Sequence, residues 1–357
     1  VYAQGLQLIR VSDERVVLKK GIHELLLDGS NVGVMAEPLL KMLDGTRTRE
    51  QIVEAFPGHV REDVDAFLTI LVRRGFVGEA PTPGAGGLAP DTLQSSFYQN
   101  FGHLAREAHA KLQAAGVLIL GSNLITRSMV RSLLEMGLGR VTVVSHPVLD
   151  NHVTPAGWNG DGGGTAAPAG AGARFQLRDT MPPDDELSAA SLLCAACDLG
   201  EVEALLESNR AALRLRRPFL PVWINNLIGY VGPLNYPNET ACLRCHWLRA
   251  DSNNPKYELY RRVRRHISEN AAAREGTGLL PPMAGVVGEI AAMEVGKAIG
   301  GFVPSDTVGR LIEVNLVSFQ SKVRRVLKVP RCPDCSEVMA RSSMTLTHGP
   351  QIAHHDD

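Results

Sequence analysis

A chain of 357 residues with 44% hydrophobic and 21% charged residues carries enough apolar mass for two domains or one large one, and reads as globular. Its formal net charge of -1 leaves no global basic field to draw it to nucleic acid or to an anionic membrane. No apolar run approaches the roughly 20 residues that span a bilayer, and the opening VYAQGLQLIRVSDERVV lacks the basic, apolar, small-residue order of a secretion signal, so the expected location is the cytoplasm.

From the first residue, LQLIRV, RVVLKK and HELLLD read as three short strands, and GVMAEPLLKMLDG, TREQIVEAF and REDVDAFLTILVRRG as three helices. Thr48 to Gln51 has the pattern of a capping box, and Gly45 and Gly75 stand where helices should stop. Three strands and three helices over residues 1–80 suggest a winged-helix-like module. The stretch APTPGAGGLAP is too poor in packing side chains for helix or strand, which makes 81–92 the expected linker.

The larger domain is expected over 93–336. GVLIL, the helix ITRSMVRSLLEMGLG and RVTVV form a βαβ unit, the start of a parallel sheet covered by helices. The glycine-rich 157–173 reads as a surface loop. ASLLCAACDL is the next buried strand, then the helix GEVEALLESNRAALRLR; FLPVWIN, YVGPLNY and RLIEVNLVSFQSKVRRVLKV continue as strands, with the helix GVVGEIAAMEVGKAIG before the last. Residues 337–357 have no apolar period and are expected to be disordered.

The six cysteines fall in three Cys-x-x-Cys pairs. CLRC (Cys242, Cys245) and CPDC (Cys332, Cys335) have the knuckle spacing that turns two thiolates toward one metal, and four thiolates make a closed tetrahedral zinc site. With no open coordination position, such a zinc is structural. The 86 residues between the knuckles exceed the usual zinc-ribbon spacing. Cys194 and Cys197 sit in an apolar strand whose alternation sends them to opposite faces, which suits buried small hydrophobes.

VLILGSNLITRSMVRSLLEMGLGRVTVVS, LLCAACDLGEVEALLESNRAAL, CLRC, PPMAGVVGEIAAMEVGKAIGG and CPDC follow one another in an order that resembles the ThiF-like and MoeB-like adenylating enzymes, related to ubiquitin-activating proteins, over about residues 95–336. The resemblance implies a Rossmann-like sheet with ATP phosphates at a glycine turn, an acidic ribose ligand after the second strand, and a downstream Arg and Asp for phosphates and magnesium. This chain departs from each. The turn is Gly121-Ser122-Asn123-Leu124-Ile125-Thr126, with side chains where backbone must approach phosphate. Ser145 replaces the ribose acid, Asp150 and Asn151 survive without the following Arg, and Asp198 fits either a metal ligand or a cap for the next helix. Gly121, Ser122, Asn123, Ser145 and Asp198 are therefore expected to be a degenerate nucleotide site, and ATP is not expected to bind this chain.

The front module resembles the PqqD-like peptide-recognition domain. That resemblance implies that the leader of a ribosomally made precursor adds as a strand beside His23 to Asp28, with His23, Leu25 and Leu27 on the edge and Val64, Phe67, Leu68 and Leu71 lining a groove; the same apolar residues also fit a plain core. A DNA-reading third helix is disfavoured by Glu62, Asp63 and Asp65. The local basic patches, Arg261, Arg262, Arg264, Arg265 and His266 in YELYRRVRRHISE and the run RLRRP, read as solvated faces or as receivers of an acidic partner. Together the two modules resemble the ThiF-like partners of azole- and azoline-forming pathways, of the bacteriocin and thiopeptide kind. They imply a non-catalytic scaffold that binds a leader and delivers the core peptide to a YcaO cyclodehydratase, with a possible homodimer through the ThiF-like domain. A working adenylating enzyme is the alternative.

Overall fold

The computed structural model describes residues 1–3, 5–30, 32–78, 94, 97–98, 100–101, 104–151, 174–198, 202–269 and 278–336. The expected linker 81–92, the glycine-rich loop 157–173 and the tail 337–357 lie outside the described residues. The chain divides into two compact units, Val1–Leu112 with Gly300–Val303, and Gln113–Ile299 with Pro304–Asp357.

In the first unit, β1 (Leu6–Arg10), β2 (Arg15–Lys20) and β3 (His23–Asp28) form an antiparallel sheet in that order, with β3 at an edge. Helices α1 (Val32–Met42), α2 (Arg49–Glu54) and α3 (Arg61–Arg73) follow. The capping box forms as the sequence predicts: the Gln51 amide donates to Thr48 Oγ1 at 3.3 Å, and the Thr48 amide to Gln51 Oε1 at 2.9 Å. Gly45 and Gly75 take the left-handed conformation just past α1 and α3, with φ of +89° and +74°. Alternation puts Val16 and Leu18 of β2 in one core with Leu39, Ile52, Leu68 and Leu71.

The second unit is built on an eight-stranded sheet in the order β11-β10-β9-β8-β7-β4-β5-β6. Its parallel half comprises β4 (Gly116–Leu120), β5 (Arg140–Val144), β6 (Phe175–Arg178), β7 (Leu192–Cys197) and β8 (Phe219–Asn225). β9 (Ile228–Val231), β10 (Arg310–Asn315) and β11 (Ser321–Arg325) extend it antiparallel. α4 (Leu104–Ala114) lies almost wholly in the first unit, and the second unit's helices in chain order are α5 (Leu124–Glu135), α6 (Asp184–Ala189), α7 (Val202–Arg214), α8 (Leu243–Ser252), α9 (Tyr257–Glu269) and α10 (Pro281–Gly300). Every residue of the central strand β7 is buried, Cys194 and Cys197 among them, as expected where helices cover both faces of a parallel sheet. Burial pushes the Cys194 thiol up, so it stays protonated and packs as a small hydrophobe.

α10 crosses α5 at Gly288, where a Cβ would fall 2.7 Å from the Ile125 carbonyl oxygen and from Ser128 Cβ. Glu289, next along, accepts from Ser128 Oγ at 2.6 Å, from Ser132 Oγ, and from the Arg131 guanidinium at 3.0 Å. Two features depart from the sequence reading. The segment RLIEVNLVSFQSKVRRVLKV is a hairpin, because Asn315 Oδ1 accepts the Val317 and Ser318 amides, both at 3.0 Å, and so turns the chain without glycine or proline. β6, α6 and α8 carry too few periodic residues to have been anticipated.

Candidate functional site

β4 has β5 on one side and β7 on the other, so the strand order reverses at β4, and the crevice beyond its carboxyl end is where doubly wound sheets bind ligands. Three of the expected nucleotide-site positions converge there: Gly121 follows β4, Ser145 follows β5 and Asp198 follows β7. Gly121 has a φ of +98°, and a Cβ would meet the Ala196 carbonyl oxygen at 2.6 Å and Leu149 Cβ at 2.8 Å. The glycine is needed because the turn folds onto its own neighbours.

A phosphate at such a turn is held by the free amides that begin the following helix. Here side chains of the protein already hold them. Asp150 Oδ1 accepts the Ser122 amide at 2.6 Å and the His146 amide at 2.9 Å, and its other oxygen accepts Ser145 Oγ. Asp198 Oδ2 accepts the Leu124 amide at 3.1 Å and Asn151 Nδ2 at 2.9 Å. Asn123 is the N-cap of α5 and accepts the Thr126 amide at 3.1 Å, while its Nδ2 donates to the carbonyls of Leu149 at 3.0 Å and Ala196 at 2.7 Å. Ser122, Asn123 and Asp198 are buried. Burial also lowers the His146 pKa, which keeps Nδ1 an acceptor for the Val148 and Leu149 amides. Asp198, read from the sequence as a metal ligand or a cap for the next helix, holds the amide that begins α5 instead.

Asn123 satisfies three backbone groups in a dry setting. Asn123→Ala is expected to cost about 2–4 kcal/mol, more than a simple cap exchange, because it leaves two buried carbonyls without donors. Urea unfolding would measure it, and a loss under 1 kcal/mol would refute this account.

On the other side of the sheet order, the two knuckles meet. The Sγ atoms of Cys242, Cys245, Cys332 and Cys335 all lie within 4.8 Å of one another, and none is in a disulfide. Individual separations are 3.9 Å for Cys242–Cys245, 3.8 Å for Cys242–Cys332 and 3.5 Å for Cys245–Cys335. A tetrahedron with Zn–S bonds of about 2.3 Å has edges of about 3.8 Å, so the donor set fits zinc in both chemistry and size. Cys242 is the N-cap of α8, and the Val329 amide donates to Cys245 Sγ at 3.3 Å. Hydrogen bonds within the cluster, chiefly with Cys242, lower the Cys245 thiol pKa, and those with Cys245 raise that of Cys242. Asn209 of α7 ties the knuckles together, accepting the Leu243 amide at 3.2 Å and donating to Asp334 at 3.2 Å. Asn209 was not legible in the sequence, because its spacing from either pair carries no motif.

The expected peptide residues are placed differently from one another. Val64, Phe67, Leu68 and Leu71 are buried in the core of the first unit, at helical spacing along one face of α3. Leu25 and Leu27 pack partly buried against that core, while His23 is exposed and donates to the Asn100 carbonyl at 3.0 Å. The Gly29 amide donates to the Glu14 carbonyl, which fixes the alternation of the β2–β3 ladder: His23, Leu25 and Leu27 point their main chain at β2, and Glu24, Leu26 and Asp28 turn theirs to the open edge. The apolar side chains left exposed on β3 and α3 are Leu26, Ile70 and Val72. No helix among the described residues is long and apolar enough to cross a membrane.

Residues 172–337, which contain Asp198 and all four clustered cysteines and leave out the Gly121 turn, match the ThiF family. This region is a ThiF family domain. The protein HesA of Leptolyngbya boryana is 25% identical over 127 residues, 36% of this chain, and the match spans only 38% of HesA's own length. Among solved structures, E. coli MccB superposes with a TM-score of 0.63 at 15% identity, covering 94% of this chain and 96% of MccB. The heterocyclase TruD superposes with a TM-score of 0.62 at 20% identity, covering 93% of this chain and 42% of TruD. At these identities the structural likeness establishes the ThiF-type fold.

Proposed function

We propose that this chain is a substrate-binding subunit in ribosomal peptide modification, which captures the leader of a precursor peptide and delivers its core to a YcaO cyclodehydratase that closes thiazoline or oxazoline rings. The observation that carries this reading is the turn at the switch point. The amides that would cradle phosphate are engaged by Asp150, Asp198 and Asn123, so the fold is kept while its nucleotide site is filled from within. The ThiF family domain then acts as a scaffold, with a structural zinc on Cys242, Cys245, Cys332 and Cys335.

Support comes from the neighbours. MccB has been solved with its peptide, N-formylated MccA, and with ATP, and a heterocyclase has been solved with substrate and cofactor. This chain spans 39–42% of the heterocyclase chains, and in our reading a partner supplies the ring-closing chemistry. Leader binding falls to the first unit, which we read as PqqD-like, at the open edge of β3. Main-chain bonds from Glu24, Leu26 and Asp28 give affinity there, and pockets for alternate side chains give specificity. Tethering the leader raises the local concentration of the core peptide at the partner's site, so a modest affinity suffices.

The test is a titration with a precursor peptide, whole and leader-deleted, followed by ring formation with a YcaO cyclodehydratase read as loss of water by mass spectrometry. Only the whole precursor should bind, and omission of this chain should slow its modification. Leu26→Pro removes an amide that faces the open edge and leaves the bonds to β2, so leader affinity should fall about tenfold or more, as expected for one or two lost main-chain bonds, in a protein that stays folded. Tight Mg-ATP binding with pyrophosphate exchange on a peptide would instead make this an adenylating enzyme.

A further inference from the structure

The large sheet ends in β11, and no described strand lies beyond it. All five of its residues, Ser321 to Arg325, are exposed. The Asn315 amide donates to the Gln320 carbonyl and the Val326 amide to the Gly309 carbonyl, and these two bonds fix the alternation along the β10–β11 hairpin. Gln320, Lys322, Arg324 and Val326 spend their main-chain groups on β10, while Ser321, Val323 and Arg325 present theirs to solvent. Among the described residues, a row of alternating donors and acceptors is thus unpaired over the length of the strand.

Side chains say what kind of strand would fit. Arg324 is committed to Glu313 at 2.6 Å, but Lys322 and Arg325 have no ion-pair partner among the described residues. Arg310 stands directly opposite Arg325 in a non-hydrogen-bonded pair, the closer kind, so two guanidinium groups share one face at the edge with no ion-pair partner among the described residues. Val323, half exposed, lies between Arg325 and Ser321 on that face. A second copy of β11 would set cations against cations. Charged residues on an exposed edge are a common guard against self-association, and here they reject a copy while favouring a strand of opposite charge.

We propose that the β11 edge is a docking site for an extended acidic segment of a partner protein, which adds antiparallel to β11 and continues the sheet. The register dictates its pattern. The residue opposite Arg325 is Asp or Glu, the residue opposite Val323 is apolar, and the residue opposite Lys322 is again acidic, giving acidic-x-apolar-acidic from N to C terminus. Regularly alternating main-chain donors and acceptors match a polypeptide rather than a nucleic acid. This site is distinct from the β3 edge and does not depend on the leader-binding reading.

The experiment uses the whole chain and a blocked peptide, Thr-Glu-Thr-Val-Glu-Thr-Thr, at millimolar concentration, with amide resonances and their hydrogen exchange as the readout. Near saturation the Val323 and Arg325 amides should shift and exchange about tenfold more slowly, with weakening as salt rises. A peptide with both Glu changed to Lys should bind at least tenfold more weakly. Val323→Pro removes an outward amide without breaking a bond to β10, and should abolish the effect while the other sheet resonances stay in place. Arg325→Glu gives a second route to the same loss should the proline disturb the hairpin. Leu26→Pro should leave this binding unchanged. Equal binding of the reversed-charge peptide, retained binding by Arg325→Glu, or shifts confined to β3 would each overturn the proposal, as would concentration-dependent pairing of β11 between copies.

Discussion

Changing Cys242 and Cys332 together to Ser is expected to abolish zinc binding at the four-cysteine site and to unfold the larger unit. Structural zinc on four thiolates is worth on the order of 10–16 kcal/mol in small peptides, and the net stability of a domain is about 5–15 kcal/mol, so the unit has no margin to lose the metal. The geometry supports the size of the effect. Cys242, Cys245 and Cys332 are wholly buried and Cys335 nearly so, and the knuckles join α8 to the segment after β11 beside Asn209, the Val329 amide, the contacts of Arg249 with the Leu327 and Lys328 carbonyls, and the packing of Val326 and Val329 in one apolar cluster with Leu243 and Trp247. Zinc content by elemental analysis and the thermal transition of the same sample provide the check. A double variant that has lost its metal but melts with the wild type would show that the metal is dispensable.

The second large effect is expected at Asp150. Its carboxylate holds the Ser122 and His146 amides and the Ser145 hydroxyl, tying the ends of β4 and β5 together. Each hydrogen bond to a charged acceptor contributes about 1.5–3 kcal/mol, and with partial relaxation Asp150→Ala should lose about 3–5 kcal/mol. Urea unfolding measures it. Wild-type protein should show no thermal shift in millimolar Mg-ATP, whereas a site with a dissociation constant one hundredth of the ATP concentration would gain about 2.7 kcal/mol. A clear stabilisation of the wild type by Mg-ATP would mean that Asp150 and Asp198 yield to phosphate, and the scaffold reading would fall.

Both effects trace to residues with different visibility in the sequence. The knuckles are legible because Cys-x-x-Cys is a local geometric statement, and the first three strands and the capping box because period and cap chemistry are local too. Asp150 was visible as a survivor of a lost motif, but nothing in its neighbours says that it reaches back 28 residues to the Ser122 amide. The β3 edge shows a subtler limit. Alternation announces which side chains share a face, yet which main-chain groups face outward depends on the ladder with β2, so Glu24, Leu26 and Asp28 carry the open bonds rather than His23, Leu25 and Leu27. Likewise, an apolar stripe on α3 reads the same whether it lines a groove or fills a core; packing buries Val64, Phe67, Leu68 and Leu71. The hairpin at Asn315 was hidden because its turn is made by one side-chain oxygen rather than by glycine.

The separation of the knuckles also bears on how the protein is made. Cys242 and Cys332 are 90 positions apart, and between them the chain must lay down α8, α9, α10, β10 and β11. At a translation rate of about 5–20 residues per second, the first pair waits several seconds outside the ribosome as an unfilled half-site before the second pair emerges. If the four cysteines take up zinc as proposed, metal capture would come late, closing a sheet already laid down instead of nucleating it. A cell short of zinc would accumulate chains that are fully synthesised and largely paired, yet unlatched and open to proteases at the segment around Cys332.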